Sequence, residues 1–380
     1  MIKRFNKLKI GMLGGGQLGR MLLQKAADYS LNFKILDPDP TAPSRFLAEE
    51  FVNGSFNDYD TVYKFGKKCD LITIEIEHVN VEALEKLQQE GVQVFPQPNI
   101  IRLVQDKGKQ KEFFQENNIP TSPFVLVDNP EKLSDLTIKL PVMQKLRKGG
   151  YDGKGVKKLS TPSDFTNAFQ EPSLVEEVIL FEKEISVIVV RNISGDCICF
   201  PLVEMEFNQE ANLVEFLYSP ANVSAQTEAK AKELATKIAT KLEIVGVLAV
   251  EMFLTAKGEI FINEIAPRPH NSGHHTIEAN ETSQYDQHLR AILGLPLGQT
   301  DMRSPSVMVN LLGEKSFEGP VTYQSLEEVL KMPGVHVHLY GKKFTRPFRK
   351  MGHITILGST ITEAKQKATL VKKLIKVVSE

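Results

Sequence analysis

A glycine-rich turn between an apolar strand and an amphipathic helix constrains the fold of this chain more than any other feature. Residues 8–13 are apolar enough for a buried strand, residues 14–16 are all glycine, and residues 17–27 carry apolar side chains at helical spacing. A second strand is predicted at 32–36, and strands then continue to alternate with helices. The pattern predicts a doubly wound parallel sheet, and we assign residues 1–108 to an N-terminal α/β domain.

The same turn satisfies the pattern G-x-G-x-x-G at 14–19, and Asp37 closes the next strand near the spacing expected of a ribose-binding acid. Taken alone, this pattern favours a dinucleotide. Its physical content is weaker, because glycines let any phosphate approach backbone amides at a helix N-terminus, and a ribose monophosphate would fit equally well. A third interpretation is that the glycines only allow the helix to pack closely on the strand. An NAD-dependent oxidoreductase therefore remains an alternative at this stage.

The middle of the chain has a different pattern of predicted secondary structure, in which strands at hairpin spacing dominate. The predicted elements are strands at 142–146, 174–178, 185–191 and 198–203, a helix at 228–242, and a strand at 246–253 that turns at Gly258 into a partner strand at 259–263. This pattern predicts an α+β domain over 109–295. Residues 296–380 are expected to form a small C-terminal cap domain.

Composition narrows the classes of function. The 380 residues are 42% hydrophobic and 24% charged, as in a globular protein, and a chain of this length suits two or three domains. A net charge of -1 gives no support for a nucleic acid or an anionic membrane as partner, so small-molecule substrates are the better expectation. Three cysteines cannot form a disulfide framework, and there is no apolar run of membrane-spanning length. We therefore expect a cytoplasmic protein.

A loop rich in glycine and lysine follows the strand at 142–146. From Lys145 to Gly155 it contains four glycines and four cations. Glycines permit close backbone approach, and lysines neutralise the charge that builds on a transferring phosphoryl group. The loop is therefore predicted to close over a polyphosphate, although a solvated basic hairpin is the simpler alternative.

Two glutamates are predicted to face each other about a hundred residues further on. Glu251 interrupts a strongly apolar strand, and Glu264 ends the following strand after Asn263, so a hairpin would bring the two carboxylates together. Facing carboxylates repel unless a hard cation lies between them, and Mg²⁺ accepts carboxylates together with nucleotide phosphate oxygens. The sequence thus predicts a magnesium-nucleotide site. Two unrelated acids at strand ends in solvent are the alternative.

Anion-binding side chains follow this hairpin at once. Arg268, His270 and Asn271 suit a small planar anion such as bicarbonate or a carboxyl phosphate. His270 and His274 stand at i, i+4 and would also suit zinc, but the glutamate of the zinc-protease pattern is missing between them.

These motifs resemble those of the ATP-grasp enzymes, and among them the N5-carboxyaminoimidazole ribonucleotide synthases of bacterial purine biosynthesis. The resemblance rests on GGGQLGR at 14–20, GGYDGKG at 149–155 and NEIAPRPHNSGH at 263–274, in the order of that family and over nearly the whole chain. It implies an ATP-grasp architecture, with a doubly wound N-terminal domain, a central ATP-grasp domain and a small C-terminal domain.

The resemblance also implies site residues. The ATP site would comprise Lys107, Lys145, Gly150, Tyr151, Asp152, Gly153, Lys154, Gly155, Val156, Glu176, Glu177, Val178, Ile179, Glu184, Asn263 and Glu264, with Glu251 and Glu264 as magnesium ligands. The substrate site would comprise Gly16, Gln17, Leu18, Glu75, Tyr151, Asp152, Arg268, His270, Lys342, Arg349 and Lys350. The catalytic residues would be Asp152, Arg268, His270 and Asn271. Within these sets, the segment 176–179 is expected to hold adenine and Glu184 the ribose of ATP.

The activity that the resemblance implies is a ligase reaction. ATP phosphorylates bicarbonate to carboxyphosphate, which then carboxylates the amine of 5-aminoimidazole ribonucleotide, with release of ADP and phosphate. The expected cofactors are ATP and Mg²⁺, the expected assembly is a homodimer, and neither nucleic acid nor membrane is expected as a partner. Another ATP-grasp ligase, such as a formate-using purine transformylase or a biotin carboxylase, and a non-catalytic nucleotide-binding relative remain alternatives.

Three positions depart from the family pattern. Lys107 stands where an arginine is usual, Val156 where a glutamine closes the lid motif, and Phe207 where some members have a nucleotide-contacting histidine. Lysine keeps the charge but loses the bidentate fork of arginine, so the affinity for ATP is expected to change. No nucleotide contact is assigned to Phe207.

Overall fold

The N-terminal part is a parallel sheet, as the sequence predicted, and it has five strands. The computed structural model describes residues 7–128, 139–150, 155–208, 210 and 212–380. The elements of this part are β1 (Ile10–Leu13), α1 (Gln17–Ala27), β2 (Phe33–Asp37), β3 (Glu50–Asn53), α2 (Tyr59–Gly66), β4 (Leu71–Ile74), α3 (Val81–Gln89), β5 (Gln93–Val94) and α4 (Pro98–Val104). The strand order is β3-β2-β1-β4-β5, with β1 paired in parallel to both β2 and β4.

The order of strands marks where a ligand would bind in this sheet. The chain runs outward from β1 through β2 to β3, and then returns to the other side of β1 as β4. The carboxyl ends of β1 and β4 therefore border a topological switch point, which is the usual ligand crevice of open α/β sheets. The glycine turn follows β1 there, and Glu75 follows β4.

A smaller antiparallel sheet comes next. Its elements are β6 (Phe124–Val127), β7 (Val142–Leu146), β8 (Val156–Leu159) and β9 (Ser173–Glu177), in the order β6-β9-β7-β8, preceded by α5 (Lys107–Glu116). Strands β7 and β8 pair antiparallel, with Lys145 opposite Val156. The glycine-lysine loop is therefore the connection of a hairpin that begins and ends within this sheet.

The rest of the chain builds a nine-stranded sheet and the layers that cover it. Its elements are β10 (Lys183–Arg191), β11 (Cys197–Cys199), β12 (Val203–Asn208), β13 (Leu213–Ser219), α6 (Ala225–Leu242), β14 (Gly246–Leu254), β15 (Ile260–Ala266), α7 (Thr276–Ala279), α8 (Gln284–Ile292), β16 (Ser306–Leu312), β17 (Gly319–Gln324), α9 (Leu326–Leu330), β18 (Val335–Leu339), β19 (Phe344–Thr345), β20 (Lys350–Leu357), α10 (Ile361–Leu374) and β21 (Lys376–Ser379). In the nine-stranded sheet the strand order is β15-β14-β10-β12-β13-β16-β20-β18, and β11 pairs with β10. Strands β19, β17 and β21 form a separate three-stranded sheet.

The C-terminal segment is joined to the centre of the molecule by backbone hydrogen bonds. Strand β16 pairs antiparallel with β13, with Phe216 opposite Val309, and β16 then pairs with β20. This continuity was not foreseen, because it depends on pairing between strands almost ninety residues apart, about which periodicity carries no information. The domain limits at 108 and 295 stay predictions.

Two predicted strands differ from the observed ones. The segment 198–203 is not one strand: the chain leaves β11 at Phe200 and enters β12 at Val203. Pro201 lies in the gap, and because proline has no amide hydrogen it cannot extend the ladder. The strand predicted at 259–263 is observed at Ile260–Ala266, so Glu264 lies within a strand rather than at its end.

The helices connect the two large sheets. Helix α6 packs its buried alanines and Ile238 against strands β10 and β14, in one hydrophobic cluster. Helices α1 and α8 share a second cluster, in which Met21 and Leu22 meet Tyr285 and Leu289. Because α8 also packs on β14, this contact holds the switch point of the N-terminal sheet beside the central sheet. Among the described residues, no helix combines the length and apolarity needed to cross a membrane.

Candidate active site

Glu251 and Glu264 are direct cross-strand partners, as the hairpin argument predicted. They stand opposite each other on β14 and β15, with an irregularity in the ladder directly after Glu251. Burial raises the pKa of Glu251, and the charges of Glu264 and Glu184 raise it further. Burial also raises the pKa of Glu184 to about 7, with a further contribution from Glu264. Negative charge is therefore destabilised at the facing pair of Glu251 and Glu264, where a cation is favoured, and the charge of Glu184 adds to this effect.

Lys107 is the cation that lies nearest to this carboxylate pair. Its ammonium forms an ion pair with Glu264 and lowers the pKa of that carboxyl group. Lys107 begins helix α5, and the preceding Asp106 caps the helix by accepting the amide hydrogen of Gly108 at 2.9 Å. Arg147 fixes Asp106 with two hydrogen bonds of 3.0 Å. The departure from arginine at 107 therefore keeps a cation beside the acidic pair.

Lys145 lies on β7 and is held between two neighbours. Its ammonium forms an ion pair with Glu176 and donates to Asn263 Oδ1 at 3.1 Å. Asn263 directly precedes Glu264 on β15, so Lys145 lies beside the carboxylate pair. This geometry brings together three residues that the sequence assigned to the ATP site: Lys145, Asn263 and Glu264.

Glu176 is buried between two lysines, which sequence reasoning did not anticipate. Besides Lys145, its carboxylate contacts Lys111 Nζ at 2.8 Å and accepts a hydrogen bond from Ser122 Oγ at 2.7 Å. Burial opposes ionisation of Glu176, but Lys145 and Lys111 overcome it and hold the pKa at about 2. Lys111 is one of three lysines on helix α5, and no pattern in the sequence distinguishes it from the exposed Lys109. Glu177 is exposed at the end of β9, and residues 178–179 leave the sheet.

His270 connects the motif at 268–275 to the carboxylate pair. Its Nε2 atom lies 3.5 Å from Glu251 Oε1. On the other side of the ring, Nδ1 accepts the amide hydrogen of Ser272 at 3.3 Å and lies 2.9 Å from the Ser272 hydroxyl oxygen. Gln284 clamps the backbone of His270, accepting from its amide and donating to its carbonyl, both at 2.8 Å.

Arg268 and Asn271 contact different parts of the molecule. Arg268 Nε lies 2.7 Å from Glu77 Oε1, which places it near the end of β4 in the N-terminal sheet. Asn271 forms a reciprocal amide pair with Asn310 of β16, with distances of 2.9 and 3.0 Å. His274 follows three residues after Asn271, and its Nδ1 lies 3.1 Å from the hydroxyl oxygen of Tyr285 and 3.2 Å from Gln284 Nε2.

The amides of the glycine turn are largely occupied by carboxylates. Asp37 accepts from Gly15 at 2.6 Å and from Asp39 at 2.7 Å, which engages both of its oxygens. Glu75 accepts from Gly16 at 2.5 Å and from Gly19 at 2.6 Å, across the N-terminus of α1. With Asp37 buried and committed to the turn, the ribose-binding role that a dinucleotide site needs is not available to it.

Two cations of the C-terminal segment, Lys342 and Arg349, donate to backbone carbonyl groups of the same segment. Lys342 Nζ donates to the carbonyl oxygen of Lys350 at 2.7 Å, and Arg349 donates to the carbonyl oxygen of Phe344 at the same distance. The positive charge of Lys350 partly offsets the rise in the pKa of Glu251.

Four predicted site residues, Tyr151, Asp152, Gly153 and Lys154, lie outside the described residues. Their flanks are described: Gly155 has φ +77° and its carbonyl accepts the amide hydrogen of Leu146 at 2.9 Å. Val156 then starts β8 opposite Lys145. Phe207 pairs with Val214 on the neighbouring strand β13.

Comparison with known proteins gives a consistent assignment along the chain. The family "ribonucleotide synthetase preATP-grasp domain" matches residues 7–105, the ATP-grasp domain matches 112–285, and the "phosphoribosylaminoimidazole carboxylase C-terminal domain" matches 306–367. The N5-carboxyaminoimidazole ribonucleotide synthase of Bacillus subtilis (strain 168) is 36% identical over 367 residues, covering 95% of this chain and 94% of that protein.

The chloroplastic phosphoribosylaminoimidazole carboxylase of Vigna aconitifolia is 40% identical over 362 residues, which are 93% of this chain but only 64% of that protein. The corresponding share of the Saccharomyces cerevisiae protein is 65%. This chain thus spans about two thirds of the length of these eukaryotic relatives.

Two solved structures agree closely with the fold. The N5-carboxyaminoimidazole ribonucleotide synthetase of Thermotoga maritima has a TM-score of 0.91 at 43% identity, covering 98% of this chain and 100% of that one. The N5-carboxyaminoimidazole synthase of Aspergillus clavatus, in complex with ADP and 5-aminoimidazole ribonucleotide, has a TM-score of 0.89 at 34% identity, covering 97% and 98%.

Proposed function

Because the chain belongs to the N5-carboxyaminoimidazole ribonucleotide synthases of the ATP-grasp family, we propose that it is an ATP-dependent ligase that carboxylates 5-aminoimidazole ribonucleotide with bicarbonate. The observation that carries the proposal is the facing pair of Glu251 and Glu264, with Lys107 and Lys145 beside it. The expected product is N5-carboxyaminoimidazole ribonucleotide, formed with ADP and phosphate.

The donor set of the acidic pair suits magnesium. Glu251 and Glu264 offer carboxylate oxygens, which are the ligands that Mg²⁺ prefers together with phosphate oxygens. The raised pKa of Glu251 fits a position that needs a cation before it can carry a charge at neutral pH. Glu251 and Glu264 would therefore hold the ion, which when bound neutralises charge on the triphosphate.

The remaining residues divide the work of nucleotide binding and phosphoryl transfer. Lys107 and Lys145 stabilise the negative charge of the triphosphate, and the segment 176–179 with Glu184 holds the nucleoside. The lid at 150–155 closes over the phosphates with Lys154 and keeps water out. Exclusion of water matters because carboxyphosphate hydrolyses readily.

Carboxyl transfer then takes place beside the switch point. Bicarbonate, held by Arg268, His270 and Asn271, attacks the γ-phosphorus, and the bond from that phosphorus to ADP breaks. The amine of the ribonucleotide next attacks the carboxyl carbon of carboxyphosphate, a C–N bond forms, and the C–O bond to phosphate breaks. The amine loses a proton in this step. Asp152 orients the amine or accepts that proton.

The ribonucleotide lies between the N-terminal and C-terminal parts of the chain. Its phosphate is bound by the Gln17 and Leu18 region of α1 together with Lys342, Arg349 and Lys350, and Tyr151 contacts the imidazole. Gly16 already donates its amide to Glu75, so its contribution is the space that a glycine leaves. Glu75 presents its carboxylate at the same edge. The homodimer is proposed from the family resemblance, and the cytoplasmic location from the cysteine content and the apolar pattern of the sequence.

Phosphate release from ATP tests the proposal. We expect release to require both 5-aminoimidazole ribonucleotide and bicarbonate, and carbon from labelled bicarbonate to appear in the product. Formate in place of bicarbonate is the control for a transformylase, and NAD in place of ATP is the control for an oxidoreductase. Phosphate release that is independent of both substrates, or product that contains carbon from formate, would overturn the assignment.

A further inference from the structure

The buried ion pairs around Glu176 carry an excess of positive charge. The side chain of Glu176 is 4% exposed. Its carboxylate contacts two ammonium groups: Lys111 Nζ at 2.8 Å, and that of Lys145. The side chain of Lys111 is 3% exposed and that of Lys145 is 13% exposed. Because burying an uncompensated charge is costly, two cations on one anion need a reason. The carboxylates of Glu184 and Glu264 offset part of the charge of Lys145 from a distance, and an incoming anion beside Lys145 would balance it directly.

The two lysines differ in what they can offer to a ligand. Besides Glu176, Lys111 donates to Thr121 Oγ1 at 2.5 Å and to Ser122 Oγ at 2.8 Å, so all three of its ammonium hydrogens are used. Among the described residues, the hydrogen-bond and ion-pair partners of Lys145 are Glu176 and Asn263, and Asn263 precedes a proposed magnesium ligand. Lys111 therefore stays inside the protein, whereas Lys145 is placed to meet the triphosphate.

We propose that Lys111 is a positioning residue that acts through Glu176: it serves as a second, fully enclosed counter-ion of this carboxylate and so leaves Lys145 available to the ATP phosphates. Without Lys111, Glu176 and Lys145 would form a neutral buried pair, and ATP would have to compete with Glu176 for the lysine. With Lys111 present, Glu176 orients Lys145 without holding its whole charge. The inference rests on the proposed function, because it assigns Lys145 to the triphosphate.

A double-mutant cycle tests the coupling. We compare the affinity for magnesium and the non-hydrolysable analogue β,γ-methylene-ATP in wild type, Lys111→Met, Glu176→Gln and the double variant. Lys111→Met is expected to weaken binding at least about tenfold in the wild-type background, because the buried carboxylate then binds Lys145 more strongly. In the Glu176→Gln background the same change is expected to alter affinity less than about twofold, because no carboxylate remains to hold Lys145.

Turnover separates positioning from a general loss of structure. Lys111→Met should raise KM for ATP about as much as it weakens binding of the analogue, with KM for the ribonucleotide within about twofold of wild type. Lys109→Met is the matched control, because Lys109 lies on the same helix with its side chain exposed, and it should leave both values unchanged. Thermal melting confirms that each variant is folded at the assay temperature.

The outcomes distinguish a failure of the proposed function from a failure of the inference about Lys111. Wild type that fails to bind the magnesium-nucleotide would overturn the proposed function and this inference with it. Wild type that binds, with Lys111→Met binding equally well or with equal losses in both backgrounds, would overturn the inference alone. If Lys111→Met does not fold, the comparison of Glu176→Gln with the double variant decides: equal affinities support the inference and a further tenfold loss refutes it.

Discussion

Replacing Glu264 by glutamine should separate activity from stability. Glu264 forms an ion pair with Lys107 and faces Glu251 across the hairpin. Glutamine keeps the size of the side chain but removes the charge, so the proposed magnesium ion loses a ligand, while the repulsion between the two carboxylates also disappears. We therefore expect a large loss of ATP turnover in a protein that folds normally.

The structure indicates the size of both effects. The Glu264 side chain is 43% exposed, so its ion pair with Lys107 is screened by solvent and contributes at most about 1 kcal/mol to stability. Relief of the repulsion from Glu251 offsets part of that loss. Turnover, in contrast, depends on the ligand directly, and we expect kcat/KM for ATP to fall at least about a hundredfold.

Two measurements check this prediction. Phosphate release is followed in wild type and Glu264→Gln over a range of magnesium concentrations, and thermal melting follows the fold. Glu215→Gln is the control, because Glu215 forms a comparable ion pair with Lys372 at 2.9 Å on another part of the sheet. Turnover within about fivefold of wild type, at an unchanged magnesium requirement, would refute the assignment of this carboxylate to the metal.

Three further predictions follow from the same geometry. The pKa of Glu184 is raised to about 7, so the folded state holds a proton that the unfolded state loses near pH 4.5. Stability should therefore fall as the pH rises from about 4.5 to 7. Thermal melting without magnesium should show a smaller fall for Glu184→Gln than for wild type. A β-carbon at Gly14 would lie 2.5 Å from the side chain of Glu75, whereas a β-carbon at Gly91, which also has a positive φ, would meet nothing within 4 Å. Gly14→Ala and Gly91→Ala share about 1–3 kcal/mol of backbone strain. Denaturant unfolding should therefore show a larger loss of the free energy of unfolding for Gly14→Ala. Asn310→Ala frees the amide of Asn271, and steady-state kinetics should show KM for bicarbonate rising about tenfold while KM for ATP changes little; equal changes in both constants would contradict this role.

The sequence predicted what depends on neighbouring residues. The strand, glycine turn and helix at the N-terminus, and the hairpin that pairs Glu251 with Glu264, each follow from spacing within a short segment. The broken strand around Pro201 could have been predicted too, because the proline itself signals the interruption. Residue roles at the site stay predictions until they are measured.

Contacts between distant segments could not be predicted in this way. Glu75 follows a strand almost sixty residues after the glycine turn, yet it occupies two of the amides that the motif was expected to offer to a ligand. Lys111 becomes part of the site only because α5 packs beside β9, and its sequence context is that of an ordinary helical lysine. Both cases involve buried charges, whose partners are set by tertiary structure.

The continuous nine-stranded sheet limits how this protein can be divided. Strand β13 uses one edge to pair with β12 and the other to pair with β16, in four residue pairs from Phe216 to Ser219. A fragment ending at residue 305 would leave that second edge without its ladder and would uncover Leu217, which packs against Met308. Exposed strand edges promote self-association. The part of the chain that ends at residue 305 is therefore unsuited to expression as an isolated fragment. Work on it requires β16 together with β20 and α10, which pack on β16.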